Sequence, residues 1–202
     1  IVVHTGDFKV DYTPVFGDAI DLQRFAEIGK KGVLALMSDS TNAVRAGFTQ
    51  SEKTVGKTFD RLFAEHHHRR IIVATFASNV DRVQQIINTS YKYGRKVVVE
   101  GRSMVNIISV ASELGYLQVP ENTLIDIDQL KNYAPENTTI ITTGSQGESM
   151  AALSRMSAGV HRKISIQPTD TIIFSSSPIP GNEKSVSHVI NELFEKGAEV
   201  IF

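Results

Sequence analysis

Thr138-Thr139-Ile140-Ile141-Thr142-Thr143-Gly144-Ser145-Gln146-Gly147-Glu148 sets six consecutive β-branched residues against a turn punctuated by two glycines. The apolar residues are adjacent rather than alternating, as in a strand buried on both faces of a parallel sheet. Short runs of the same kind recur at Val33–Met37, Ile71–Phe76, Lys96–Val99, Thr171–Phe174 and Glu199–Phe202. Between them lie stretches with helical periodicity and start and stop signals. Thr49-Gln50-Ser51-Glu52 reads as a capping box opening a helix that runs to about Glu65. Ser78 is placed to cap a helix closed by Gly94. Ser103–Leu114 ends on Gly115, and Ser185–Lys196 on Gly197, with a further helix predicted over Met150–Met156. Strand and helix alternate throughout. The predicted fold class is α/β, an open, mostly parallel sheet flanked by helices and joined by right-handed crossovers.

Composition narrows the classes of function. The 202 residues are 41% hydrophobic and 21% charged, ordinary values for a globular chain. No apolar run approaches the roughly 20 residues that cross a bilayer, so no membrane partner is expected. With no cysteine, disulfides and thiolate metal sites are excluded, and a cytoplasmic location is expected. A net charge of −1 argues against a generic basic surface, so any nucleic-acid contact must be local.

Four segments carry more than architecture. Ile1-Val2-Val3-His4-Thr5-Gly6-Asp7 reads as an apolar strand that ends by presenting a carboxylate, with no initiator Met before it. The chain thus reads as a piece of a longer protein, and Asp7 as a candidate metal ligand or a turn carboxylate. Ser38-Asp39-Ser40-Thr41-Asn42 follows a predicted strand, where open α/β sheets build sites, although Asp39 or Ser40 also suits a helix cap. In Gly144-Ser145-Gln146-Gly147, converging backbone N–H groups suit an anion, and a tight strand-to-helix turn explains the same letters. No Lys follows Gly147 and no third Gly completes a dinucleotide fingerprint. Ser175-Ser176-Ser177-Pro178-Ile179-Pro180-Gly181-Asn182 offers three hydroxyls on a proline-stiffened loop, suited to a phosphate. Arg102, following the strand Lys96–Val99, is placed to fork onto a phosphate or to pair with a carboxylate. His66-His67-His68 lies at a helix end, where consecutive side chains diverge, and reads as cations on the helix dipole rather than as ligands.

Assembled in order, these segments resemble the ribonuclease J family of the metallo-β-lactamase superfamily, its β-CASP domain with an adjoining piece of the catalytic domain. The resemblance also rests on Ala74-Thr75-Phe76-Ala77-Ser78-Asn79, Gly101-Arg102-Ser103-Met104 and Met150-Ala151-Ala152-Leu153-Ser154-Arg155, and it covers essentially the whole chain. It implies residues 1–43 from the metallo-β-lactamase αββα domain and residues 44–202 as the β-CASP domain. It further implies a ribonuclease with 5′-to-3′ exonuclease and endonuclease action in RNA processing and decay, rRNA included. Two divalent metal ions are implied, zinc foremost with manganese or magnesium as alternatives. The implied partner is single-stranded RNA, especially 5′-monophosphorylated ends, handled by a homo-oligomer or an RNA-decay complex.

Residue by residue, Asp7 matches the family's metal-bridging Asp and Asp39 an acidic group that orients a catalytic His. Arg102, Ser145, Gln146, Gly147, Ser175, Ser176 and Ser177 are the expected RNA and phosphate contacts. The family's His-x-His-x-Asp-His run is absent from the chain, so the fragment itself is predicted inactive. Ser149 stands where relatives usually have Pro, and Asp81 where they often have His or Tyr. Two other readings compete: a non-catalytic phosphate- or nucleotide-binding α/β module built on the Gly144 loop, and an inactive scaffold paralogue.

Overall fold

Burial of β-branched runs from both sides organises the larger part of the molecule. The computed structural model describes residues 1–41, 43, 44 and 46–202, so Asn42 of the Asp39 segment lies outside the described residues. Two compact units divide between Val55 and Gly56. The first holds β1 (Val2–His4), α1 (Leu22–Lys30) and β2 (Ala35–Met37), with β1 and β2 paired in parallel, His4 opposite Met37. Helix α2 (Glu52–Glu65) crosses the division in its first turn.

The second unit continues through β3 (Arg70–Ala74), α3 (Val80–Lys92), β4 (Lys96–Glu100), α4 (Arg102–Glu113), β5 (Thr138–Thr142), α5 (Ala152–Ser157), β6 (Asp170–Phe174), α6 (Glu183–Glu195) and β7 (Glu199–Ile201). Its five strands run parallel in the order β4-β5-β3-β6-β7, as the α/β reading expects. β3, β5 and β6 are buried at every position, which is why their sequences do not alternate.

The two sheet faces carry separate cores. Ile72, Ala74, Val98, Ile140, Ile172 and Phe174 pack under α5 and α6 through Leu153, Met156, Val189 and Leu193. Residues of the other parity, such as Ile71, Val73 and Val97, face the opposite side, where α3 and α4 pack against the strands and each other. There the ring of Phe63 from α2 lies 6.2 Å from that of Tyr93 at the end of α3.

Handedness accounts for this division. Moving from β3 to β4 runs one way along the sheet, and α3 covers the first face. After α4, Thr123–Ile125 passes alongside β4: Val97 donates to the Thr123 carbonyl at 2.8 Å and Ile125 donates to the Val97 carbonyl at 2.9 Å. Two 3₁₀ turns, Ile127–Asn132 and Pro135–Asn137, then lead back along the other face to β5. The steps β5 to β6 and β6 to β7 continue in that direction under α5 and α6. Right-handed crossovers moving in opposite directions must lie on opposite faces.

Several boundaries differ from the sequence reading. α2 starts at Glu52, where Ser51 Oγ accepts the Lys53 N–H and Asp11 Oδ2 accepts the Glu52 N–H, so Thr49 is not its cap. α3 is capped by Asn79, whose side chain accepts the Arg82 N–H at 3.0 Å, rather than by Ser78. α5 is shorter than Met150–Met156 implied at its start, because Gly144, Ala151 and Leu153 pack closely and delay the first turn. Gly94, Gly115 and Gly197 all follow helix ends at positive φ, as expected. α1 carries no signal used in the sequence reading.

Candidate functional site

Parallel strands deliver their following loops to one edge of the sheet, and that edge gathers most of the polar segments. The loops after β3, β4, β5 and β6 hold Thr75–Asn79, Gly101, Thr143–Gly147 and Ser175–Asn182 in turn. β3 lies between β5 and β6, so the Gly144 and Ser175 loops are not direct neighbours. Gln146 bridges the gap. Its Nε2 donates to the Ser177 carbonyl at 3.1 Å and to Ser176 Oγ at 3.4 Å. Its Oε1 accepts the Ile179 N–H at 2.7 Å and the Asn182 Nδ2 group at 3.4 Å.

Gln146 is only 3% exposed and Ser145 2% exposed, so both side chains face packing rather than solvent. The glycine turn also satisfies its own donors. Gly147 N–H bonds the Gly144 carbonyl at 3.1 Å, and Gln146 N–H bonds Glu148 Oε2 at 3.3 Å. A carboxylate of the chain thus occupies the place an anion would take in a nest. Gly147 itself, at φ +72°, lies against the backbone of Ser185 and Val186 at the start of α6.

The Ser175 loop is held from the other side by Arg82 of α3. Its Nη1 donates to the Ser175 carbonyl at 2.6 Å and to Ser175 Oγ at 2.8 Å, while Thr75 Oγ1 donates to the same carbonyl at 3.4 Å. A serine hydroxyl that accepts an N–H keeps its own proton to donate. Ser175 and Ser176 are both in this state, half-buried, with Ser177 exposed beside them. Arg82 is a contact of the candidate site that sequence reading missed. It is 93 residues from Ser175, and only the order β3-β6 brings the two together.

Arg102 stands apart from this group, exposed at the first position of α4 in a cleft with Arg155. Behind that cleft His161 Nε2 contacts Glu100 Oε1 at 3.1 Å, another grouping without a local sequence signal.

Asp7 and Asp39 both follow the carboxyl ends of the paired strands β1 and β2. Thr5 joins the two loops, with its N–H on the Met37 carbonyl at 3.0 Å and its Oγ1 accepting the Asp39 N–H at 3.2 Å. Asp39 Oδ1 accepts from Thr41 Oγ1 at 2.7 Å and from Thr41 N–H at 3.1 Å. These bonds, the hydroxyl first, hold its carboxyl below the usual carboxylate value and keep it ionised at neutral pH. Asp7 is exposed. Among the described residues no three His, Cys, Asp or Glu side chains converge. No helix among the described residues is long and apolar enough to cross a membrane.

The sequence pattern of the ribonuclease J β-CASP domain matches residues 68–193. Ribonuclease J 1 of Streptococcus pyogenes is 53% identical over 200 residues, covering 99% of this chain and 35% of its own length. Ribonuclease J of Helicobacter pylori is 48% identical over 201 residues, covering 100% of this chain and 29% of its own length. Ribonuclease J2 of Bacillus subtilis is 42% identical over 202 residues, covering 100% and 36%. The chain spans about a third of the length of these curated relatives.

Proposed function

This chain belongs to the ribonuclease J family and carries its β-CASP domain, and from that premise we propose that it is the RNA-holding part of a metal-dependent ribonuclease. In this reading residues 44–202 grip single-stranded RNA in the cytoplasm, in keeping with a chain free of cysteine. Residues 1–43 bring Asp7 as a metal ligand and Asp39 as a group that orients a catalytic histidine. Phosphodiester hydrolysis, exonucleolytic or internal, belongs to the assembled centre, with two divalent ions as zinc, manganese or magnesium.

The observation that carries the proposal is the pair of oriented hydroxyls on a stapled loop. Arg82 and Gln146 fix Ser175 and Ser176 so that their protons are free to donate. Hydroxyls hold a phosphate without the indiscriminate grip of a basic patch, which suits a near-neutral chain. A 5′-monophosphate is the terminal group such a pocket selects. Losing one donor to a charged group costs about 1.5–3 kcal/mol, or about 10- to 100-fold in affinity. Ser175→Ala and Ser176→Ala should therefore each cut the preference for 5′-monophosphorylated over 5′-hydroxyl RNA about 10-fold, read by anisotropy with labelled oligonucleotides. Equal losses on both RNAs would reduce the loop to a general contact.

A second outcome follows from the donor count. The purified chain should leave 5′-labelled RNA intact in zinc or manganese, because Asp7 alone cannot complete the coordination that activates water. Chelator-sensitive cleavage by this chain would overturn that assignment.

A further inference from the structure

β4 and β5 are neighbours whose following helices leave on opposite faces of the sheet. Such a switch in direction opens a crevice at the carboxyl edge, where α/β sheets bind ligands. Here the crevice is a cleft of about 570 Å³ whose lining includes Arg102, Ser103, Asn106 and Arg155.

The two guanidinium groups are held differently. Arg102 is exposed, and no hydrogen bond or ion pair ties it to the described residues. Arg155 is tethered from behind. Its Nη2 lies 3.8 Å from Glu100 Oε1, which also meets His161 Nε2 at 3.1 Å. His161 is 4% exposed in its side chain, and its Nδ1 accepts the N–H groups of Lys163 at 3.3 Å and Ile164 at 3.1 Å. Nε2 must then carry the proton and donate it to Glu100. Glu100 is thus committed to His161 and Arg155. The other nearby carboxylate, Glu148 on the cleft wall, is engaged by the Gln146 N–H.

Two further donors lack acceptors. Arg155 Nε is shielded from solvent with no hydrogen-bond partner among the described residues. The first turn of α4 is bare as well. Its cap is Gly101, which has no side chain to accept the orphan N–H groups of the turn. A Cβ there would lie 2.5 Å from Thr143 Oγ1, so packing forbids a capping side chain.

We propose that this cleft binds a phosphate of the sugar-phosphate backbone of single-stranded RNA, through Arg102 and Arg155. The inference rests on the RNA-holding reading above and adds a second contact to it. β4 and β6 are three strand spacings apart in the sheet, about 14 Å. The cleft therefore serves an internal phosphate of a strand whose terminal phosphate sits at the Ser175 loop. Guanidinium groups suit this task, since they fork onto phosphate oxygens and ignore the base.

The test is the salt dependence of anisotropy-measured binding of a 5′-hydroxyl oligouridylate and its 5′-monophosphorylated counterpart to the chain. Removing one cation that neutralises a single-strand phosphate flattens the plot of log affinity against log salt by about 0.7. Arg102→Ala and Arg155→Ala should each do so, equally on both oligonucleotides. Lys131→Ala, in the separate cleft beside Arg70 and Thr138 at the opposite edge, should leave the slope unchanged. Slopes indifferent to both arginines, or a Lys131→Ala effect of equal size, would overturn the cleft while leaving the Ser175 pocket standing. Absence of any RNA binding by the unsubstituted chain would sink the RNA reading, and the cleft with it.

Discussion

Replacing Gly147 with Ala should destabilise the folded chain by about 2–5 kcal/mol. Two costs add at this position. A residue with a Cβ pays about 1–2 kcal/mol to hold a left-handed backbone, and Gly147 sits at φ +72°. The new methyl would also collide with the Ser185 carbonyl group, 2.5 Å from its oxygen, and lie 2.7 Å from the Val186 nitrogen. Those atoms are backbone in the opening of α6, so no side-chain rotation relieves the clash, and overpacking of this kind costs about 1–3 kcal/mol. Gly115 separates the two terms, since it has φ +77° and no atom within 4 Å of where a methyl carbon would stand. Gly115→Ala should therefore cost only the backbone share. Urea midpoints at constant slope measure both variants. A Gly147→Ala loss no larger than that of Gly115→Ala would show that α6 gives way freely.

Removing the Asp170 carboxylate should cost about 3–5 kcal/mol, the range for breaking a buried ion pair by deleting one partner. Asp170 is 1% exposed and Arg70 11% exposed in their side chains, and they meet through two bonds, Nε to Oδ1 at 2.8 Å and Nη2 to Oδ2 at 2.5 Å. Asp170 Oδ2 also accepts the Gln167 N–H at 2.8 Å. In Asp170→Ala the Arg70 guanidinium keeps, among the described residues, only the Ser165 carbonyl at 2.7 Å as an acceptor and has no counter-ion there. The double change Arg70→Met with Asp170→Leu removes both charges and should recover most of the loss. Denaturant unfolding of the two variants tests this. A single variant within about 1 kcal/mol of the unsubstituted chain would mean that water reaches Arg70 and screens it. The pair lies at the amino ends of β3 and β6, opposite the loops, so folded Asp170→Ala should keep the proposed RNA affinity.

What the sequence made legible was whatever burial writes locally. Thr138–Thr142 matches its strand at both ends because every position is β-branched and enclosed. Gly94, Gly115 and Gly197 marked helix ends because a left-handed residue is needed there. Caps were less legible. Ser78 and Asn79 both carry suitable acceptors, and only the geometry of the turn chose Asn79. The Thr123–Ile125 segment went unread because it joins β4 through Val97 alone, too little to impose a strand pattern.

The candidate site divides the same way. The loops were legible because polar residues at strand ends stand out, but the duties of their side chains were not. Ser145 and Gln146 read as ligand donors, yet burial gives Gln146 to stapling a loop more than 30 positions away. Arg82, and the tether from His161 through Glu100 to Arg155, depend on strand order and on contacts 55 to 93 residues apart. No local pattern encodes such pairs.

The passage of Thr123–Ile125 beside β4 bears on self-association. A terminal strand normally displays a row of unspent N–H and C=O groups, a template on which another chain can add a strand. At Val97 both outward groups are already spent on Thr123 and Ile125. Lys96 places its ammonium on the Asn122 carbonyl alongside, adding charge to the same border. Recruitment of a foreign strand there would first require peeling away a segment of the protein itself, so this side of the sheet resists growth.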